Sequence, residues 1–217
     1  MTPQLRPALH PGQSDTLVHF CGRARQSFVM PSPSERLGRI LYEGRMTGTN
    51  PYGSTMPAVC LSESTIDGIR TLIETGGFEP WAVVLSRAWV WDQGGGPVWY
   101  VRDELWREAV QSLGPDRARW LVRSEPNNSD WLHEREWRVP VDPENPHFNL
   151  PASGPLAIVV GDAEWEPNLV HTYEISPFTG DLAQVLMTPA HAQIDRWLWT
   201  GTGFELLSPI RRCIYVN

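Results

Sequence analysis

The chain contains no lysine. All 18 basic side chains in its 217 residues are arginine. An abundance of Ala, Gly, Pro, Arg and Trp fits a coding sequence rich in G and C. Whatever its origin, the absence removes mechanisms that need a lysine amine: the P-loop, Schiff-base chemistry, the protein-kinase lysine, and nucleases whose motif ends in carboxylate-x-Lys. Cysteine is also scarce. Cys21, Cys60 and Cys213 are odd in number and widely separated, which argues against a disulfide framework or a cysteine zinc site and suits a reducing cytosol. No His/Cys cluster has metal-ligand spacing, so no metal is expected. No run approaches the roughly 18 apolar residues of a membrane span. The opening "MTPQLRPALHPGQSD" lacks the apolar stretch of a secretory signal. The expectation is a cytoplasmic protein with no membrane partner. Basic charge is in deficit too, and the net charge of −7 gives no global pull toward nucleic acid or anionic lipid.

What is present is a chain able to build a core, at 41% hydrophobic residues. Residues 1–15 are Pro-rich and read as irregular. Residues 16–217 read as a single α+β domain, with a core over 16–161 and a C-terminal extension over 162–217. Strands are expected at "TLVHFC" (16–21), "AVCLS" (58–62), "WAVVLS" (81–86), "PVWYV" (97–101), 131–139, "GPLAIVVG" (154–161) and "RRCIYV" (211–216). "DQGGG" reads as a turn between two of them. A first helix starts at Ser32, with Pro33 at its first position and Glu35 at capping-box spacing, and stops at Gly44. A second carries Ile66, Ile69 and Ile73 on one face. A third covers 103–113, with Leu105, Val110 and Leu113 inward. "DLAQVLMTPAHAQIDRWLW" reads as partly helical. Mixed strand spacing with few helices predicts a mixed or antiparallel central sheet flanked by helices.

The stretch "DWLHEREWRVP" (130–140) carries the densest chemistry. Strand alternation puts Glu134, Glu136 and Arg138 on one side and His133, Arg135 and Trp137 on the other. Two carboxylates spaced about 6.5–7 Å along a strand can flank one ligand, each raising the other's cost of ionising. Alternatively they pair with Arg123, Arg135 or Arg138 on a solvated surface. Flanking Trp131 and Trp137 favour a partly buried strand, and covered acids need a reason. His19 lies in an apolar strand, as a core histidine or a ligand contact. Ser62 reads as a ligand donor or as a cap for the following helix. The run Arg102, Arg107, Arg117, Arg119 and Arg123 is interleaved with acids and reads as a solvated face.

Taken in order, "LVHF", "LGRILYEG", "AVCLSES", "VWYV" and "HEREWR" resemble the AbiGi-like abortive-infection (phage-resistance) proteins, over about Leu17 to Val139. More distantly the order is similar to small ADP-ribosyltransferases, including the DarT-type toxins. That resemblance implies an ADP-ribosyltransferase-like fold and NAD as substrate. It implies a first-strand His19 at the NAD ribose beside Phe20, Ser62 supporting the nicotinamide site, and Glu136 or Glu134 as the catalytic acid. The aromatic that sandwiches nicotinamide would be Trp81, Trp89 or Tyr100. The reaction implied is ADP-ribosyl transfer or NAD hydrolysis, with the acceptor open between protein, nucleic acid, small molecule and water. Two other classes stand beside it: a non-catalytic antitoxin or partner of an abortive-infection system, and a metal-dependent nuclease using Glu134, Glu136 and another acid such as Asp92.

Overall fold

A computed structural model describes residues 13–23, 31–125 and 131–216; residues 1–12 of the irregular segment expected over 1–15, and Asp130, lie outside these. Eight strands form the main sheet: β1 (Thr16–Phe20), β3 (Ala58–Ser62), β4 (Ala82–Ser86), β5 (Gly96–Pro97), β8 (Glu136–Pro140), β10 (Ala157–Val160), β13 (Arg196–Trp199) and β14 (Phe204–Leu207). Their order is β14-β13-β10-β4-β1-β3-β8-β5. Every neighbouring pair is antiparallel except β10 with β13. The molecule is therefore α+β with a large mixed sheet, as the strand spacing predicted. β1, strand "LVHF" of the sequence, sits near the middle.

Three smaller sheets accompany it. β2 (Arg45–Thr47) pairs with β9 (His147–Asn149), β6 (Trp99–Arg102) runs parallel to β7 (Leu121–Ser124), and β11 (Val170–Ile175), β12 (Leu182–Met187) and β15 (Cys213–Tyr215) form a three-stranded antiparallel sheet. The region read as partly helical is thus β12, a single 3-10 turn at Ala190–Ala192, and β13. Cross-strand pairing with β11 and β10 outweighs the weak local helix preference there. "PVWYV" splits at Val98 between β5 and β6, which belong to different sheets.

Alternation along the central strands makes two cores. Leu17, Leu61, Val83, Leu85, Trp137, Val139, Ile158 and Val160 face one side, and Val18, Ala82, Val84, Ala157 and Val159 face the other. The first side is covered by α1 (Pro33–Glu43), through Leu37 and Leu41, and by Val90 of α3 (Arg87–Asp92), a short helix between β4 and the Gly-rich turn where the sequence reading had only the turn. Each fully buried leucine contributes about 1.5–3 kcal/mol, so two of them outweigh the ~1 kcal/mol of a helix cap. The cap is nonetheless formed as predicted: Ser32 and Glu35 make the reciprocal capping box, Pro33 opens the helix, and Gly44 closes it at φ 67°. The second side is covered by α2 (Ile66–Glu74), through Ile69 and the partly buried Ile73, while Ile66 is exposed. α4 (Asp103–Ala118) is kinked at Gly114–Pro115 and packs on the β6–β7 pair; its Leu105, expected inward, is exposed.

Candidate functional site

β8 begins at Glu136, and the residues before it are not strand. Leu132–Glu134 make a 3-10 turn, and Arg135 follows at φ 44°, ψ 52°. It is the only non-glycine residue with positive φ among the described residues. The period-two pattern expected over 131–139 therefore starts only at Glu136. From there Glu136 and Arg138 share one side, while Trp137 and Val139 enter the first core. Glu134 is drawn out of register, its Oε1 2.5 Å from Arg23 Nη2.

Register then places the other candidates. Glu136 opposes Ser62 on β3, and Ser62 opposes Val18 on β1. Opposed residues of antiparallel strands present their side chains to the same side, so Ser62 and Glu136 share the α2 side of the sheet. Phe20, two residues on from Val18, faces the same way and stacks on Phe78 at 4.5 Å between centroids. The Arg23 guanidinium lies 4.0 Å over the Phe78 ring and 5.9 Å from the Trp131 ring. Trp131 Nε1 is buried with no hydrogen-bond partner among the described residues. Tyr100 closes the group: its hydroxyl accepts the Glu136 N–H at 3.0 Å and donates to the Trp131 carbonyl at 3.3 Å. Burial, ahead of the negative charges of Glu136 and Glu134, holds its phenol above the ordinary tyrosine range. Both acids thus act on one hydroxyl.

His19 does not join them. It opposes Val83 and faces the first core, where its Nδ1 lies 2.8 Å from the Cys60 carbonyl. A carbonyl only accepts, so Nδ1 carries the proton, and burial pushes the imidazole pKa down, partly offset by that bond. Trp81 and Trp89 are on this side as well, against Trp165 at 5.5 Å and Phe148 at 5.2 Å. Of the three aromatic candidates, Tyr100 alone neighbours the acids.

Glu136 is held firmly. Arg138 Nε donates to its Oε1 at 2.7 Å and Nη2 to its Oε2 at 3.2 Å. Arg138 is only 2% exposed, and its Nη1 also donates to the carbonyls of Arg119 and Leu121, tying β7 to the sheet. The Cys60 thiol opposes Arg138. Burial first, then the Glu136 charge, raises its pKa, so it is no ready nucleophile.

Glu63 is the residue that the sequence reading passed over. It lies one residue beyond β3, with a side chain 9% exposed. Its Oε1 takes Arg87 Nη1 at 3.1 Å, Arg135 Nη2 at 3.3 Å and the Ser14 N–H at 3.3 Å; its Oε2 takes the Trp137 indole at 3.0 Å. A signal was available, since alternation puts Glu63 on the same side as core residues Val59 and Leu61.

Among the described residues, no group of three His, Cys, Asp or Glu side chains is placed to hold a metal ion. No helix among them is long and apolar enough to cross a membrane. A surface hollow of about 340 Å³, lined by Pro31, Glu35, Arg39, Tyr42 and Asn168, contains none of the acid cluster. Compared with known proteins, the chain matches no family model, no curated protein and no solved structure.

Proposed function

We propose that the chain is an NAD-consuming enzyme of the ADP-ribosyltransferase kind, built on an ADP-ribosyltransferase-like fold and serving bacterial phage defence. One observation carries the reading: two largely covered carboxylates, Glu134 at 13% exposure and Glu136 at 14%, both lie near enough to the Tyr100 phenol for their charges to act on it. Ser62 and Phe20 lie on the side that Glu136 faces, and the Tyr100 hydroxyl binds the Glu136 N–H. Covered acids beside aromatic surface suit a substrate that develops positive charge.

In this reading the bond between ribose C1′ and the nicotinamide nitrogen breaks, and its electron pair leaves with nicotinamide. The oxocarbenium-like ribose is stabilised by the Glu136 carboxylate, which Arg138 orients. A hydroxyl of water or of an acceptor adds to C1′, and its proton passes to Glu134 once Arg23 yields. Ser62 and Phe20 line the nicotinamide end, and Tyr100 fixes the backbone between the acids. His19, on the other side, braces β3 from beneath. No lysine and no metal take part.

Glu136→Gln removes the charge and turns an NH2 toward one of the two Arg138 donors. The urea midpoint is expected to fall, and nicotinamide release from NAD, measured where the variant is still folded, to fall about 10²-fold or more. Release at the parental rate ends the proposal. A second reading, the non-catalytic partner of a defence system, is favoured by the occupation of both Glu136 oxygens by Arg138. Under it NAD leaves the melting temperature unchanged and a second chain raises it, because only ligands of the native state stabilise by mass action.

A further inference from the structure

Arg135 adopts a conformation that costs a side-chain-bearing residue free energy, and it does so between the two acids. Within its own turn the Arg135 N–H donates to the Leu132 carbonyl at 3.2 Å, and from outside the turn, among the described residues, Glu63 holds it. The Glu63 N–H donates to the Arg135 carbonyl at 3.1 Å, while the Glu63 carboxylate takes the Arg135 guanidinium at 3.3 Å. The same carboxylate takes the Trp137 indole at 3.0 Å. Glu63 therefore grips the residue before Glu136 and the residue after it. It is itself pinned from two further segments, Arg87 at the start of α3 and the backbone of Ser14 ahead of β1.

We propose that Glu63 is the positioning residue of the site: its carboxylate holds the left-handed Arg135 and so sets where Glu134 and Glu136 stand. Glu63 touches no reacting atom. It acts through Arg135 and Trp137. Four donors converge on its two oxygens, two of them cationic, a set that suits a carboxylate. An amide of the same size would turn an NH2 toward at least one of those donors. The inference rests on reading Glu134 and Glu136 as working acids, although its first test does not.

That test is amide hydrogen exchange in Glu63→Gln, followed residue by residue. Exchange at Glu136, whose N–H is bound by Tyr100, is expected to quicken at least tenfold, while amides of β1 and β4 keep their protection. Unchanged exchange at Glu136 overturns the proposal, as does a uniform rise across the sheet. If Glu63→Gln does not fold, Glu63→Asp is read the same way, because it keeps the charge but withdraws it by one methylene.

The second test uses turnover. Glu63→Gln is expected to lower kcat for nicotinamide release at least tenfold with KM within twofold. Adding Arg135→Gly, which adopts the left-handed turn without strain, should recover at least threefold of that loss. A merely structural role would give neither the split nor the recovery, and failure of the rescue overturns the proposal. If the parent protein releases no nicotinamide, the reading of the function fails, while the exchange comparison still decides the role of Glu63.

Discussion

At the scale of single residues, a few buried polar groups do most of the specifying. His19 shows how. Its neutral imidazole donates to the Cys60 carbonyl inside the first core, and burial lowers its pKa below the ordinary 6.5. The unfolded chain then binds more protons than the native one as pH falls through 6.5, so stability rises with pH in that window. The contribution is intact above about pH 6.5 and is lost as pH drops through the folded value. The urea midpoint of the parent should therefore fall more between pH 7.5 and 5.0 than that of His19→Asn, which keeps an N–H for the carbonyl. Equal losses would show that His19 is not the titrating group. His19 also marks a limit of the sequence. An apolar strand with a histidine announces its burial but not its side, because the side depends on which neighbour sets the register. Glu136 was visible as a covered acid. Its locked partner Arg138 was one of three arginines open to it.

At the scale of elements, legibility followed how local the determinants were. α1 was readable end to end because capping box, apolar stripe and terminal glycine lie within a dozen residues. Two changes measure this. Ser32→Ala should cost about 1 kcal/mol by loss of the cap. Gly44→Ala should cost more, about 1–3 kcal/mol, since φ is +67° there and an added Cβ would stand 2.8 Å from His191 Cε1. Urea denaturation of both variants is the check, and a Gly44→Ala cost below that of Ser32→Ala would count against this account. β3 and β10 were equally clear, as unbroken runs of β-formers. The start of β8 was not, because Arg135 is held by Glu63, and the flanking Glu134 and Glu136 by Arg23 and Tyr100, all remote in sequence. β12 and β13 were obscured in the same way, since their partners decide their state and β11 itself was not expected as a strand.

At the scale of the whole molecule, the α+β class was legible from strand spacing, and the order of the strands was not. The stretch set apart as an extension contributes β13 and β14 to the main sheet, next to β10. All four residues of β10 are buried, and β13 covers one of its two edges. A version of the chain ending after Asp195 should expose that edge and aggregate on expression, whereas the full chain stays dispersed. Sedimentation or light scattering of the shortened protein decides it, and a monodisperse, folded fragment would contradict this placement.

The parallel β10–β13 pair also has a meaning for synthesis. Ala157–Val160 leaves the ribosome well before the segment that shelters it, so the growing polypeptide carries an unsatisfied, oily edge through that interval. A message cut short there would yield a sticky remnant rather than a smaller working unit, and cells making this protein would gain from a chaperone that holds the strand until Trp199 has emerged.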